Sequence, residues 1–220
     1  MNVNLHERRI AVLASGAGTN LQALLDAIAQ GTLDARIAVV VSDRAGAGAL
    51  RRASEAGIAA VSLPLAARHD PVAREAYDRQ LAGLLLAFNP DLLVLAGWML
   101  ILTPAFLDQF PGRIVNVHPA LLPDDGGVEV FTSRGALPVL RGPRVVRDAL
   151  AQRLPVTGAT VHYVTTAVDS GPVILRQEVP ILPDDDESQL HERIKMVEHR
   201  LLPRAVTIAL AAISASTLEG

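Results

Sequence analysis

The chain contains no cysteine, so it forms no disulfide, offers no thiolate nucleophile and has no thiolate with which to hold zinc. Aromatic residues make up only 3% of it. Its core must therefore be aliphatic, and it has little surface on which nucleobases could stack. No block of Lys and Arg suggests a nucleic-acid partner, and the net charge is −3 with a pI of about 6.1. No apolar run reaches the length of a membrane span. Residues 1–9 are charged ahead of the first apolar run, which argues against a signal peptide. Also missing are a Gly-x-Ser-x-Gly elbow, a His-Glu-x-x-His pair and an EF-hand loop. These absences predict a cytoplasmic protein that handles small molecules, without nucleic acid, membrane or metal.

What is present is aliphatic and regularly punctuated. Half of the 220 residues are hydrophobic, ample for the core of one domain. Apolar runs at 10–14, 36–41, 59–63, 91–96 and 113–118 predict strands, and the segments 21–29, 46–56, 74–88 and 104–110 between them predict helices. Continuously apolar strands alternating with helices point to a parallel sheet covered on both faces. After His118 the pattern changes. Residues 123–143 carry Asp-Asp-Gly-Gly, two arginines and several prolines and read as a long loop. A helix is predicted over 145–153, antiparallel strands over 158–165 and 173–179, and a last helix over 188–213 that Pro203 kinks or breaks. The fold class is α/β: a Rossmann-like, mostly parallel sheet flanked by helices, with antiparallel strands in the C-terminal part.

Chemistry concentrates at the end of the fifth strand. Side chains two apart on a strand share a face, so Asn116 and His118 point the same way, and Pro119 ends the ladder. Ligands of open α/β sheets sit beyond the carboxyl ends of the strands, where an amide and an imidazole can act on something polar. A satisfied core pair explains the same two residues equally well. Gly16 and Gly18 form a turn between the first strand and first helix, followed by Thr19 and Asn20. A turn of this kind presents backbone N–H groups at a helix N-terminus and favours an anion. The third glycine of a dinucleotide fingerprint would fall at Leu21 and is absent. Asp43, at the end of the second strand, keeps a dinucleotide alternative open beside a phosphate monoester and a purely structural turn. Asp169 in Asp-Ser-Gly-Pro is ordinary turn chemistry by itself. His162 inside a strand and Glu198 on the last helix read, singly, as packing and as a solvated face.

Taken in order, Ser15-Gly-Ala-Gly-Thr-Asn-Leu-Gln22, Ala96-Gly-Trp-Met99, Asn116-Val-His-Pro-Ala-Leu-Leu-Pro123, Gly158-Ala-Thr-Val-His-Tyr-Val164 and Asp169-Ser-Gly-Pro-Val-Ile174 resemble the phosphoribosylglycinamide formyltransferases. The resemblance covers nearly the whole chain. It implies a single formyltransferase domain over 1–220, with a phosphate-binding half at about 1–110 and a catalytic and folate half at about 111–220. The implied reaction carries a formyl group from 10-formyltetrahydrofolate, as co-substrate, to glycinamide ribonucleotide without a metal. Asn116, His118 and Asp169 would be catalytic, with His162 in support. Gly18, Thr19 and Asn20 would hold the substrate phosphate and Glu198 the ribose. The folate would lie against Leu95, Trp98, Met99, Ile101, Leu102 and Ile114, with Arg74 near its glutamate tail. A monomer or a homodimer suits the resemblance.

The chain departs from the family in two places. Leu100 stands where many relatives have an arginine, which should weaken the hold on the folate carboxylates. The connection after Leu122-Pro123 is longer than usual, and Arg144 stands where a histidine is common; Arg134, Arg141 or Arg144 could restore the missing charge. Two relatives compete. Formyltetrahydrofolate deformylase shares the Asn-His-Asp set but typically has an extra N-terminal domain, and methionyl-tRNA formyltransferase typically adds a C-terminal RNA-contacting one. A non-catalytic nucleotide-binding protein is the alternative from another class.

Overall fold

The computed structural model describes residues 7–66 and 69–218; residues 1–6 of the stretch read above as unlike a signal peptide lie outside them. Five parallel strands, β1 (Arg9–Leu13), β2 (Arg36–Ser42), β3 (Ala59–Ser62), β4 (Leu92–Leu95) and β5 (Ile114–His118), alternate with helices α1 (Thr19–Ala29), α2 (Gly48–Glu55), α3 (Pro71–Leu86) and α4 (Pro104–Leu107). A hairpin of β6 (Glu129–Thr132) and β7 (Gly135–Pro138) follows, then α5 (Val145–Ala151), β8 (Val156–Tyr163), β9 (Val173–Pro180) and the long α6 (Glu187–Leu218). The main sheet has the order β3-β2-β1-β4-β5-β8-β9, with β8 and β9 antiparallel to their neighbours.

Alternation sorts each strand between two cores. Ile10, Val12, Leu92, Val94, Val115 and Val117 face the layer of α1, α5 and α6, while Ala11, Leu13, Leu93, Leu95 and Ile114 face α3 and α4. Burial on both faces is why these strands read as unbroken apolar runs. Asn116 and His118 fall on the Ile114 face, as their spacing requires.

Three expectations need correction. The segment 123–143 is not a plain loop, because it contains the β6–β7 hairpin. Its strands are four residues each and half exposed, and β7 ends in an edge proline, so no period stood out in the sequence. The hairpin is tied to β9 through Ser133 N–H to Glu178 Oε1 (2.7 Å) and through Arg176 to Asp124 (3.0 Å). Helix α3 starts at Pro71, earlier than the predicted 74, with Asp70 accepting from Val72 N–H (2.9 Å) as its cap. Helix α6 runs on through Pro203. The proline removes one intrahelical donor, but Leu201, Leu202, Ala205, Val206, Ala209 and Leu210 are buried around it and hold the helix on the sheet. Among the described residues no helix is long and apolar enough to cross a membrane.

Candidate active site

Strands β2 and β3 lie on one side of β1 and β4 lies on the other. Strand order therefore reverses between β1 and β4, and the loops leaving their carboxyl ends diverge to open a crevice. A cleft of about 570 Å³ occupies it, walled by the 16–20 turn, the 95–102 segment, the end of β5, the Asp169 turn and one side of α6. Ser15 joins the first two walls: its N–H donates to the Gly97 carbonyl (2.9 Å) and its hydroxyl accepts from Met99 N–H (3.0 Å).

The turn at 16–20 has the form that the sequence predicts. Gly18 caps α1 with φ +75°, and a Cβ there would lie 2.6 Å from the Ala49 Cα, so conformation and packing both demand glycine. Thr19 and Asn20 then form the first turn of α1. Asn20 Nδ2 donates to Glu198 Oε2 (2.8 Å), while its Oδ1 is buried without a partner among the described residues. Both residues line the cleft. Burial pushes the Glu198 carboxyl up from its ordinary range, against the pull of the Asn20 hydrogen bond and the Lys195 charge. Lys195 also lines the cleft, one helical turn before Glu198. Sequence reasoning missed it, although its i, i+3 spacing to Glu198 places the two on one helix face.

Asn116, His118, His162 and Asp169 come together where β5, β8 and the β8–β9 connection meet. Asn116 pairs in register with His162 across β5 and β8. His162 Nδ1–H donates to the Tyr163 carbonyl (3.0 Å), so its Nε2 is the acceptor for the Asn116 amide at 3.2 Å. His118 Nε2 lies 2.9 Å from the Leu140 carbonyl and must donate to it. Its Nδ1 faces Asp169 Oδ2 at 3.5 Å, and His162 Nε2 lies 3.7 Å from Asp169 Oδ1. Asp169 itself has φ +49° and accepts at Oδ2 from Gly142 N–H (3.0 Å). Gly171, two residues on, passes so close that a Cβ would lie 1.9 Å from the Tyr163 carbonyl oxygen, which pins the turn against β8. Burial lowers the pKa of His118 and outweighs the opposing charge of Asp169. His162 is lowered for the same leading reason. That lowering favours the neutral imidazole, and the Leu140 carbonyl selects its Nε2–H tautomer.

The apolar wall contains Leu95, Trp98, Met99, Leu100, Ile101 and Leu102, with Met99 and Ile101 exposed. Val164 and Val168 extend it beside Asp169, a contribution that the sequence reading did not single out. Ile114 does not reach the cleft; it is buried in the cluster that holds Leu102 and Phe106. Arg74 is not in the lining either. It pairs with the buried Asp78 (2.9 Å) and donates to the Ile101 carbonyl (2.5 Å). Of the three arginines considered for the charge absent at Leu100, Arg144 lines the cleft, Arg141 lies behind it and Arg134 sits in the hairpin turn. Among the described residues no group of three or more His, Asp or Glu is arranged to hold a metal ion.

Comparison with known proteins bears on the family and the fold. Residues 8–206 match the formyl transferase family. A phosphoribosylglycinamide formyltransferase of Mycobacterium tuberculosis is 46% identical over 198 residues, covering 90% of this chain and 83% of its own. The Escherichia coli K12 protein of the same name is 38% identical over 198 residues, covering 90% and 85%. Among solved structures, glycinamide ribonucleotide transformylase 1 of Symbiobacterium toebii superposes with a TM-score of 0.83 at 40% identity, over 96% of this chain and 92% of its own. With a family match over residues 8–206 and relatives 38–46% identical over nine-tenths of the chain, the chain belongs to the phosphoribosylglycinamide formyltransferases of the formyl transferase family.

Proposed function

We propose that the chain transfers the formyl group of 10-formyltetrahydrofolate to the amine of glycinamide ribonucleotide, a step of purine biosynthesis, by direct amine attack. The observation that carries the reading is that one cleft holds both an anion-ready helix N-terminus and the Asn-His-Asp cluster. The phosphate lies on the backbone N–H groups at Gly18, Thr19 and Asn20, where the α1 dipole favours negative charge. Glu198 takes the ribose hydroxyls. The folate lies on Leu95, Trp98, Met99, Ile101 and Leu102. Arg74 and Ile114 serve that wall from behind, the first through the Ile101 carbonyl and the second from the underlying core.

As the nitrogen attacks, the carbonyl π-bond opens and a tetrahedral centre with a negative oxygen forms. Asn116 keeps one amide N–H on His162 and has a second for that oxygen. The His118 Nε2–H now on the Leu140 carbonyl exchanges that neutral acceptor for the anionic one, which binds it more strongly. Each such donor is worth about 3–4 kcal/mol in related oxyanion sites. The attacking nitrogen then loses a proton and the folate N10 gains one as its bond to the formyl carbon breaks. The Asp169 carboxylate, directly or through a water, relays that proton. The chemistry needs no covalent enzyme intermediate.

Absorbance-monitored turnover of 10-formyltetrahydrofolate tests the reading. Folate release that requires glycinamide ribonucleotide is the expected result. Release at the same rate without the ribonucleotide would make the enzyme a deformylase, and a folded protein that releases none would have only a binding role.

A further inference from the structure

The reaction as read above uses only the Leu140 carbonyl from the longer connection between β5 and α5, yet that connection touches the catalytic cluster at three consecutive residues. The Leu140 carbonyl takes the His118 Nε2–H (2.9 Å), and Gly142 N–H donates to the Asp169 carboxylate (3.0 Å). Between them, the Arg141 side chain is not part of the cleft lining and donates to three backbone carbonyls. Its Nε donates to Asp169 (3.0 Å), and one Nη donates to Gly126 (2.9 Å) and Gly127 (2.8 Å). The Gly126 backbone is itself packed on the Asp169 turn, since a Cβ there would stand 3.1 Å from the Ser170 carbonyl oxygen. One guanidinium therefore ties together the start of the 123–143 segment, its end and the catalytic turn.

Asp169 is a non-glycine residue at positive φ (+49°). Such a backbone persists only where its surroundings over-determine it. A planar fork with five N–H donors suits the gathering of several carbonyls from different segments, whereas an ammonium on a flexible stem is a poor substitute. We propose that Arg141 is a positioning residue for Asp169: it holds the strained turn so that the carboxylate stands against His118, and thereby couples the inserted hairpin segment to turnover. The inference rests on the reading of Asp169 as the proton relay. Arg141 also faces His118 as a charge, together with Asp169, while His162 stands between Asp169 and Asn116. For that reason the decisive test is a coupling measurement rather than a pH optimum.

The experiment is a double-mutant cycle on the full chain with Arg141→Met, Asp169→Asn and the double variant, measured as kcat and KM for both substrates. A residue that acts through Asp169 shows strong non-additivity with it. Misplacement of a reacting group by an ångström costs roughly 100-fold. Accordingly Arg141→Met should lower kcat about 10- to 100-fold, with the ribonucleotide KM changed less than about twofold. In the Asp169→Asn background the same substitution should change kcat less than about twofold. Arg141→Lys, which keeps the charge and loses the fork, should recover only part of the loss. It takes the place of the methionine variant in the cycle if that one does not fold. An equal loss of kcat with and without the Asp169 carboxylate, or no loss at all, overturns the role of Arg141. Near-normal turnover of Asp169→Asn alone would instead overturn the reading of Asp169.

Discussion

Asn116 and His162 face each other across the antiparallel β5–β8 pair, amide nitrogen to imidazole nitrogen at 3.2 Å. Because His162 donates through Nδ1 to the Tyr163 carbonyl, its Nε2 lone pair holds the Asn116 amide with nitrogen, not oxygen, towards it. Replacing His162 with Phe keeps a ring in the strand and removes that acceptor. The amide is then free to turn, and kcat should fall about tenfold or more, with both KM values within about twofold, because the lost interaction matters most at the developing oxyanion. Steady-state kinetics on the variant checks this; an unchanged kcat would remove His162 from the site.

Glu198 is a buried carboxyl whose pKa is raised by that burial. A raised folded-state pKa means that the stability it contributes is complete below the unfolded pKa and is lost as pH rises through the folded one. Glu198→Gln should therefore stabilise the free protein at pH 8, by about 2–4 °C for each kcal/mol relieved in a chain of this size, and have a smaller effect at pH 5. The same change should raise the ribonucleotide KM about tenfold, since a charged acceptor for the ribose hydroxyls is gone. Thermal melts at the two pH values, beside kinetics, read both effects.

Gly18→Ala should separate the two substrates. The positive φ and the 2.6 Å approach of a Cβ to the Ala49 Cα force the turn to shift, at a cost of about 1–3 kcal/mol. Ribonucleotide binding should be largely lost, while folate binding at the apolar wall is retained. Calorimetric titration with each substrate in turn distinguishes this from general unfolding, which would abolish both.

Leu100 and Arg144 both line the cleft. If the folate tail lies between them, Leu100→Arg should lower the formyl-folate KM about two- to fivefold, the range of an exposed ion pair. Arg144→Ala should raise it by a similar factor with kcat preserved. A change in the ribonucleotide KM instead would assign Arg144 to the other substrate.

Buried His118 and His162 both have lowered pKa values, with burial as the leading cause. The unfolded chain takes up protons near pH 6.5 that the folded chain resists, so stability should fall as pH drops below about 6.5. The slope should reach at most about 1.4 kcal/mol per pH unit for each histidine. Denaturation midpoints at pH 7.5 and 5.5 measure the loss, and His162→Phe should reduce it.

The parallel half of the fold was legible because β1, β2 and β4 are apolar along their buried stretches and carry polar residues only at their ends, at Arg9, Arg36 and Ser42. The shared face of Asn116 and His118 followed from strand alternation alone. What sequence could not provide were contacts made across distance. Asn20 and Glu198 are 178 positions apart, and neither has a spacing that announces the other. Asp169 reads as a turn residue until the turn is seen against His118. The hairpin stayed hidden because its strands are short, half exposed and closed by a proline. Arg74 lies on the expected helix, but its partner Asp78, one turn along, directs it to the Ile101 backbone rather than to the cleft.

The antiparallel pairing of β5 with β8 also orders the assembly of the site. The backbone of the 16–20 turn is held by α1 and by Ala49 at the start of α2, 33 residues on from Gly16. The Asn116–His162 contact must close a loop of 46 residues, and its entropy is lost before any contact rewards it. A nascent chain that has emerged through β4 carries the residues of the proposed anion-binding turn and both strands at which the sheet order reverses. It owns none of the groups that make the bond, so catalytic competence arrives with the late strands and reports that folding is complete.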